Sequence, residues 1–467
     1  MPMTLPTNPE PDSRPAEKDG GAESRGIKRM LARWLDAHML EVLRGAAIGF
    51  PLRLLAAGLT FALNIVLARI LGAEQAGLYY LALTVTTLSA TLATLGLGSV
   101  LLRTTAAGAA RGDWGSVDTA ARKGTRIAFL CSVGLTVLLA STAPFLSEVV
   151  LGKAELATPL RWMALAIVPQ TQLVLHVRLL RGLKKIALSQ FLRNIDLPIL
   201  TMVFLVALGG TYGVNGAAWS YSLACFITAA LAVWMWRRMP RPASTGPGEI
   251  RLREMLSSGF PLLQSELLLI NAATMLMLGA MSAPAIVAIF GAASQTAKPM
   301  RFILMAVNSI AGPKFAALHG LAEGKALGRT ARGSGLLMTV VASPMLLVLI
   351  LFPGWIMGLF GSGFVAGADV LRVLAIAQFI AVITGSISSL LIMSGHEKLL
   401  RNNSVAAFVL AILLNLALIP DFGAMGAAIS LGTSIVFRNG LGALQVYRRL
   451  GILPFFMSAP ANAGEQD

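Results

Sequence analysis

The sequence predicts an all-α polytopic membrane protein of twelve transmembrane helices, built as two parallel-repeat six-helix bundles. Three observations carry that expectation: composition, the sidedness of its basic residues, and an internal repeat. The 467 residues are 56% hydrophobic and 13% charged, about half the charged share of a soluble domain, roughly 25%. Apolar runs of about 20 residues, enough to cross some 30 Å of hydrocarbon, recur between residues 46 and 446. Lipid offers the backbone no hydrogen bonds, so spans must be helices or closed barrel strands, and these runs are too long and continuous for strands.

Taken in order, the runs give spans at 46–68, 76–99, 127–147, 160–180, 190–209, 214–236, 256–279, 285–309, 334–352, 370–393, 401–419 and 424–446. Before them, residues 1–26 are polar and rich in Pro, Gly, Glu and Ser, which reads as a disordered tail without a cleavable signal. Residues 27–44 carry Leu31, Trp34, Leu35, Met39 and Val42 at helical spacing, opposite Arg29, Arg33 and Asp36. That pattern suits an amphipathic helix on the membrane surface. The bundles then run over 45–236 and 256–449, with a basic linker at 237–255 and a tail at 450–467. Cys131 and Cys225 both fall inside spans, where small core packing is the expected role.

The net charge of +16 has a plain explanation, because 32 of the 38 Lys and Arg residues fall on one side of this span pattern. The other side holds Arg69, Lys153, Arg161 and Arg372, beside Glu74, Glu148, Glu155, Asp369 and Asp421. The positive-inside rule then places both termini in the cytoplasm, and nucleic acid is not needed as a partner.

The repeat supplies the internal division. GFPL at 49–52 returns at 259–262, LRWMALA at 160–166 as LRVLAIA at 371–377, and YGVNGAAWS at 212–220 as FGAMGAAIS at 422–430. RGDW at 111–114 corresponds to EGKA at 323–326, and Gly182 to Gly395. The order is kept and the spacing drifts only from 210 to 213 residues, so one half copies the other. Six spans per half insert both copies in the same sense, the parallel-repeat plan of alternating-access transporters.

The stretch FPLRLLAAGLTFALNIVLARILGAEQAGLYY at 50–80, with its LARxLGxxxxGxY pattern from Leu67 to Tyr79, resembles polysaccharide-biosynthesis (Wzx-type) flippases. Those belong to the multidrug/oligosaccharidyl-lipid/polysaccharide (MOP) superfamily. IFGAASQTAKPMRFI at 289–303, GPKFAALHGLAEGK at 312–325 and the terminal FGAMGAAIS are similar to the same family. The resemblance implies a MATE/MOP-like fold around a central cavity lined mainly by spans one, two, seven and eight. It also implies a flippase of the bacterial inner membrane that moves a polyprenyl-diphosphate-linked oligosaccharide outward for surface or exopolysaccharide synthesis. A polysaccharide polymerase and export machinery would then be partners, beside membrane lipids.

An oligosaccharide head is costly to strip of water, and its diphosphate is anionic, so the expected path is polar and cationic. Membrane-embedded cations are expensive and mark use. The candidates for cargo binding are Arg53, Lys298, Arg301 and Arg438. Lys298 and Arg301, three residues apart on one helix face, have snorkelling to the membrane interface as their alternative. For Arg53 the alternative is a snorkelling residue or a partner of Glu266, and for Arg438 a helix-packing residue. Asn64, Gln264, Glu266 and Asn271 are candidates for polar lining or ion coupling, and Pro51, Pro261 and Pro299 for hinges. Catalytic, metal and cofactor sites are not expected, since His38, His176, His319 and His396 are scattered and no phosphate-binding loop motif occurs. The alternatives are a cation-coupled multidrug (MATE-type) antiporter, which would want membrane acids, and a membrane ligase or polymerase, which would want a large outer loop.

Overall fold

The computed structural model describes residues 37–240, 252–267, 270–320, 324–393 and 396–450. The chain divides into a leading unit, Met1–Gly45, and a main body, Ala46–Asp467. The expected tail at 1–26, the surface helix up to residue 36, linker residues 241–251 and residues beyond 450 lie outside the described residues.

Every regular element among the described residues is helical. In order they are α1 (Ala37–Ala93), α2 (Leu97–Arg111), α3 (Trp114–Phe145), α4 (Ala157–Ala164), α5 (Ile167–Gly182), α6 (Ile186–Phe191), α7 (Leu197–Arg238) and α8 (Leu252–Leu267). There follow α9 (Ile270–Met281), α10 (Pro284–Ala297), α11 (Arg301–Gly320), α12 (Gly324–Leu351), α13 (Pro353–Gly358), α14 (Ala368–Ile383), α15 (Gly385–Met393) and α16 (Glu397–Leu450). Among the described residues, six helices are long and apolar enough to cross a membrane, and a seventh crossing is the pair α4–α5, bent by 47°. The protein is therefore a multi-pass membrane protein. Its large exposed apolar side chains, such as Leu130, Val137, Val206, Val340 and Leu413, have lipid for a solvent.

Three of the long helical stretches exceed a single crossing. Leu54–Ala93 has 40 residues, Ile186–Arg238 has 53 and Lys398–Arg449 has 52. At about 1.5 Å per residue, 40 residues would reach roughly 60 Å, twice the hydrocarbon thickness. Each breaks at a glycine whose φ is positive: Gly72 (φ 69°), Gly213 (φ 56°, ψ −137°) and Gly423 (φ 50°, ψ −124°). The last two are 210 residues apart and nearly identical in backbone angles. Three residues on, a Cβ at Gly216 would meet the Leu208 carbonyl oxygen at 2.2 Å, and one at Gly426 would meet that of Leu418 at the same distance. The sequence repeat is thus a repeat of backbone conformation.

These breaks give a graded prediction. A left-handed conformation costs a non-glycine residue about 1–2 kcal/mol, so both Gly213→Ala and Gly423→Ala should lower the thermal unfolding midpoint of the purified protein. Gly213→Ala should lower it further. Its Cβ would lie 2.6 Å from Gln75 Oε1, displacing the acceptor of the Val214 N–H, whereas the nearest atom at Gly423 is 3.5 Å away. Equal midpoints for the two variants would contradict this account.

The turns at Gly72, Gly152, Gly213, Ser282–Ala283, Gly361 and Gly423 gather at one end of the body, hereafter the Gly72 end. Cross-contacts among them establish this: Gly77 against Pro284, Ala73 against Gly363, Gly423 against Ile286, and Lys153 against Gly279. The opposite, basic end carries Arg111, Arg122, Lys185 and Arg238. There Asp113 caps α3 by accepting the Ser116 N–H at 3.0 Å, and hydrogen bonding to Ser116 holds its carboxyl below the usual carboxylate range.

Packing differs between the two ends. One large apolar core runs from Leu67 to Ile435 and joins residues of both sequence halves. Toward the basic end the core divides. One cluster joins Leu97, Val117, Leu175 and Trp236 of the first half with Met255, and another joins Phe315, Leu327, Leu391 and Val446 of the second. The seventh apolar run is shared between halves. Its first part, α8, packs on the first half through Met255 against Gly124 and Gly259 against Leu95 and Gly96. Its second part, α9, bonds to the second half, where Asn415 Nδ2 donates to Thr274 Oγ1 at 3.0 Å.

Candidate functional site

A cavity of about 330 Å³ opens between α1, α9 and α10. Its apolar walls include Leu83, Leu88, Met275 and Phe290, and its polar groups come from Tyr80, Thr84, Asn271, Ser294, Gln295 and Lys298. Tyr80 OH donates to Asn64 Oδ1 at 2.8 Å, and Asn64 Nδ2 donates to the Thr60 carbonyl, so Asn64 fixes the tyrosine from behind. Ser294 Oγ approaches Asn271 Oδ1 at 3.4 Å, and Lys298 Nζ donates to Gln295 Oε1 at 2.7 Å. These contacts engage the amide oxygens of Asn271 and Gln295 and leave their N–H groups as donors. No Asp or Glu lines the cavity among the described residues.

Local sequence sets Lys298 in place. Pro299 has no N–H for the Gln295 carbonyl, so the α-helix cannot run through it. The chain passes instead through one 3₁₀ turn, Lys298–Met300, between α10 and α11. Lysine on that turn, four CH₂ groups long, projects a lone ammonium among hydroxyls, amides and apolar walls. Such a group binds an oxyanion by charge-assisted hydrogen bonding.

The sequence-derived candidates divide into three sets. Lys298 and Asn271 line the cavity, with Asn64 one hydrogen bond behind it. Arg301 and Arg438 do not line it, but Arg301 is an electrostatic neighbour of both Lys298 and Arg438, so the three cations form one group. The Nε of Arg438 is buried without a hydrogen-bond partner among the described residues, while Arg301 is exposed. Pro51, Arg53, Pro261, Gln264 and Glu266 lie on helices, but their side chains fall outside the described residues.

Other residues at the site were not among the candidates. Tyr80, Thr84, Ser294 and Gln295 are neutral, and neutral polar residues in apolar runs resemble ordinary helix-packing groups. Arg69 and Lys153 stood out only by charge count. In the structure Arg69 Nε donates to the Leu359 carbonyl at 2.8 Å and its Nη2 to that of Gly358 at 3.3 Å. Lys153 Nζ donates to the Gly279 carbonyl and, at 3.2 Å, to that of Leu151. Burial pushes the Lys153 ammonium below the ordinary lysine value. Both cations come from the first half and bind backbone of the second, latching the Gly72 end shut.

Glycines complete the seals above and below the cavity. A Cβ at Gly77 would lie 1.9 Å from the Pro284 carbonyl oxygen, so only glycine permits that approach. At the other end Leu95 (φ 51°) and Gly96 (φ 70°) make a left-handed turn, and a Cβ on Gly96 would fall 2.0 Å from the Gly259 carbonyl oxygen. This turn interrupts the expected continuous span at 76–99. Apolar residues flank it on both sides, so hydropathy does not register the break.

Residues 42–319 match the model of a family described as polysaccharide biosynthesis protein. No curated protein matches by sequence. Among solved structures, the chain is similar to the lipid II flippase MurJ in an inward closed conformation. For that flippase the TM-score is 0.71 at 12% identity, covering 85% of this chain and 87% of that one. It is also similar to the inward-facing conformation of a multidrug resistance MATE family transporter of the MOP superfamily, with a TM-score of 0.68 at 16% identity, covering 87% and 98%. An outward-facing conformation of such a transporter gives a TM-score of 0.60 at 17% identity, covering 88% and 95%. The fold is that of MOP-type membrane transporters.

Proposed function

The chain belongs to the polysaccharide biosynthesis protein family, and from that premise we propose that it is a flippase for a polyprenyl-diphosphate-linked oligosaccharide. In this reading each break at Gly72, Gly213 and Gly423 is a turn between crossings, which raises the six long helices and the bent α4–α5 pair to ten, and α8–α9 and α10–α11 are taken as one crossing each, for twelve in two six-helix repeats. The basic end is cytoplasmic by the positive-inside rule, so both termini are cytoplasmic and the Gly72 end faces outward. The observation that carries the reading is Lys298, a single ammonium in a cavity without a carboxylate among its described lining residues.

The cavity lies at the small end of ligand sites, which run roughly 300–1,000 Å³, so it takes the diphosphate and adjoining sugar rather than a whole oligosaccharide. Lys298 holds the diphosphate, with Arg301 and Arg438 drawing it in from the basic end. Hydroxyl and amide groups replace the water stripped from the sugar, and the isoprenoid tail stays in lipid. Entry of the cargo from the basic end requires the Gly96–Gly259 contact to part, and release outward requires the Arg69 and Lys153 latches to part. The chain acts as a secondary transporter, without ATP hydrolysis of its own.

A multidrug antiporter is the second reading, favoured by the likeness to MATE family structures. It would bind cations, for which Glu266 on α8 is the available carboxylate. Proteoliposomes of the purified protein separate the two. Delivery of a fluorescent polyprenyl-diphosphate oligosaccharide to the opposite leaflet is expected. Failure to move it, together with export of a cationic dye driven by a proton or sodium gradient, would establish the antiporter instead.

A further inference from the structure

A second and larger cavity, about 1190 Å³, lies away from the central one, at the basic end of the first half between α3, α5 and α7. We propose that it binds the headgroup phosphate of an anionic phospholipid from the surrounding leaflet.

The charge of the site comes first. Arg122, Lys123 and Arg126 on α3 and Arg237 on α7 line it, against the one carboxylate of Asp118. Four cations and one anion leave a local charge of +3. Arg126 and Arg237 come from different helices, so the basic surface is a pocket between helices and not a stripe on one. Guanidinium pairs match phosphate geometry, and basic pockets between spans are a recurrent form of headgroup site.

The second observation is a hydroxyl. Thr119 lines the same cavity and is 6% exposed, and its buried Oγ1 has no hydrogen-bond partner among the described residues. Neighbouring polar groups are satisfied: Thr125 Oγ1 donates to the Ala121 carbonyl, Gln172 Nε2 to that of Thr125, and His176 Nδ1 contacts that of Gln172 at 2.8 Å. A buried hydroxyl without a partner is costly, and a phosphate oxygen among the cations would supply the acceptor.

The apolar surroundings distinguish a lipid from a free anion. Phe129, Val233 and Trp236 form the rest of the wall, and exposed Leu130 and Val133 continue the α3 face toward the bilayer interior. Arg238 lies over the exposed Trp234 ring at 5.6 Å, as is usual at headgroup depth. A phosphate held at the mouth would therefore leave its acyl chains on an apolar, lipid-facing surface.

The duplication provides an internal comparison. At the 212-residue spacing of Trp114 and Ala326, positions Thr119, Arg122, Lys123 and Arg126 correspond to Ala331, Ser334, Gly335 and Met338. At the 210-residue spacing, Trp236 and Arg237 correspond to Val446 and Tyr447. Met338 and Val446 are fully buried core residues. The second copy thus carries no cation at the four positions of Arg122, Lys123, Arg126 and Arg237, and its own Arg329 and Arg332 are exposed elsewhere on α12. Sidedness of charge alone would not require this cluster of cations in one copy and not at the equivalent positions of the other.

The test is native mass spectrometry of the full chain in detergent, titrated with dioleoyl phosphatidylglycerol and, for comparison, dioleoyl phosphatidylcholine. One phosphatidylglycerol should be retained in preference to phosphatidylcholine. Arg122→Gln with Arg126→Gln should weaken that binding on the order of 10- to 30-fold, while Arg329→Gln with Arg332→Gln should leave it unchanged. Thr119→Val keeps the side-chain shape and removes the orphaned hydroxyl. It should weaken phosphatidylglycerol binding while keeping or raising the unfolding midpoint, which separates ligand loss from misfolding. Wild-type retention by the Arg122/Arg126 variant, or equal retention of phosphatidylcholine, would overturn the proposal. Displacement of the lipid by excess inorganic phosphate would assign the pocket to a soluble anion instead.

Discussion

Lys298→Ala should reduce delivery of a polyprenyl-diphosphate oligosaccharide by about 10- to 150-fold, the loss of a charge-assisted hydrogen bond worth about 1.5–3 kcal/mol. The amount of protein in the membrane should not fall. Among the described residues Lys298 has one hydrogen-bond partner, the Gln295 side chain on the adjoining turn, so its removal breaks no hydrogen bond between helices there. Lys298→Arg should recover most of the transport, because it restores the positive charge on the same 3₁₀ turn. Transport in proteoliposomes, normalised to protein content, measures both variants. Undiminished transport by Lys298→Ala would remove the cation from the mechanism, and equal failure of both variants would point to packing at the Pro299 turn instead.

Gly77→Ala should have the larger effect on conformation. Its methyl group would lie 1.9 Å from a carbonyl oxygen of Pro284, and a backbone atom cannot rotate aside as a side-chain tip would. The two helices must part, so the Gly72 end should be held open and turnover should fall below detection. Arg69→Ala should act in the same direction but more weakly. It removes two hydrogen bonds to carbonyls from an exposed guanidinium, and solvent screening leaves such contacts about 1 kcal/mol or less, a shift of about fivefold in the balance of states. Cysteines introduced at Ala73 and Gly363, whose Cβ positions lie 3.7 Å apart, give the readout. They should cross-link readily in the parent protein, less in Arg69→Ala and hardly at all in Gly77→Ala. Equal cross-linking in all three would show that these contacts do not hold the end closed.

The helical class, the membrane setting and the repeat were legible in the sequence, because hydropathy and spacing report directly on burial in lipid and on duplication. The return of YGVNGAAWS as FGAMGAAIS is matched by the breaks at Gly213 and Gly423, whose angles agree closely. Lys298 stood out as a cation inside an apolar run, and the structure places it in the cavity lining. The rest of the site was not legible, for a physical reason. Arg69 and Lys153 bind backbone carbonyls, which every residue possesses, so nothing in the partner sequence marks the contact. Gly77 and Gly96 owe their roles to what comes near them, and a sequence with many glycines does not single them out. Tyr80 and Asn64 form a pair across the Gly72 turn that only the folded hairpin brings together.

The helical segment from Gly77 to Ala93 joins the two seals. One end of it meets Pro284, and the turn that follows the other end meets Gly259. A stiff rod held at both tips works as a lever. Any tilt of the rod loads both tips together, so the rigidity of a single helix ties what happens at one mouth of the passage to what happens at the other.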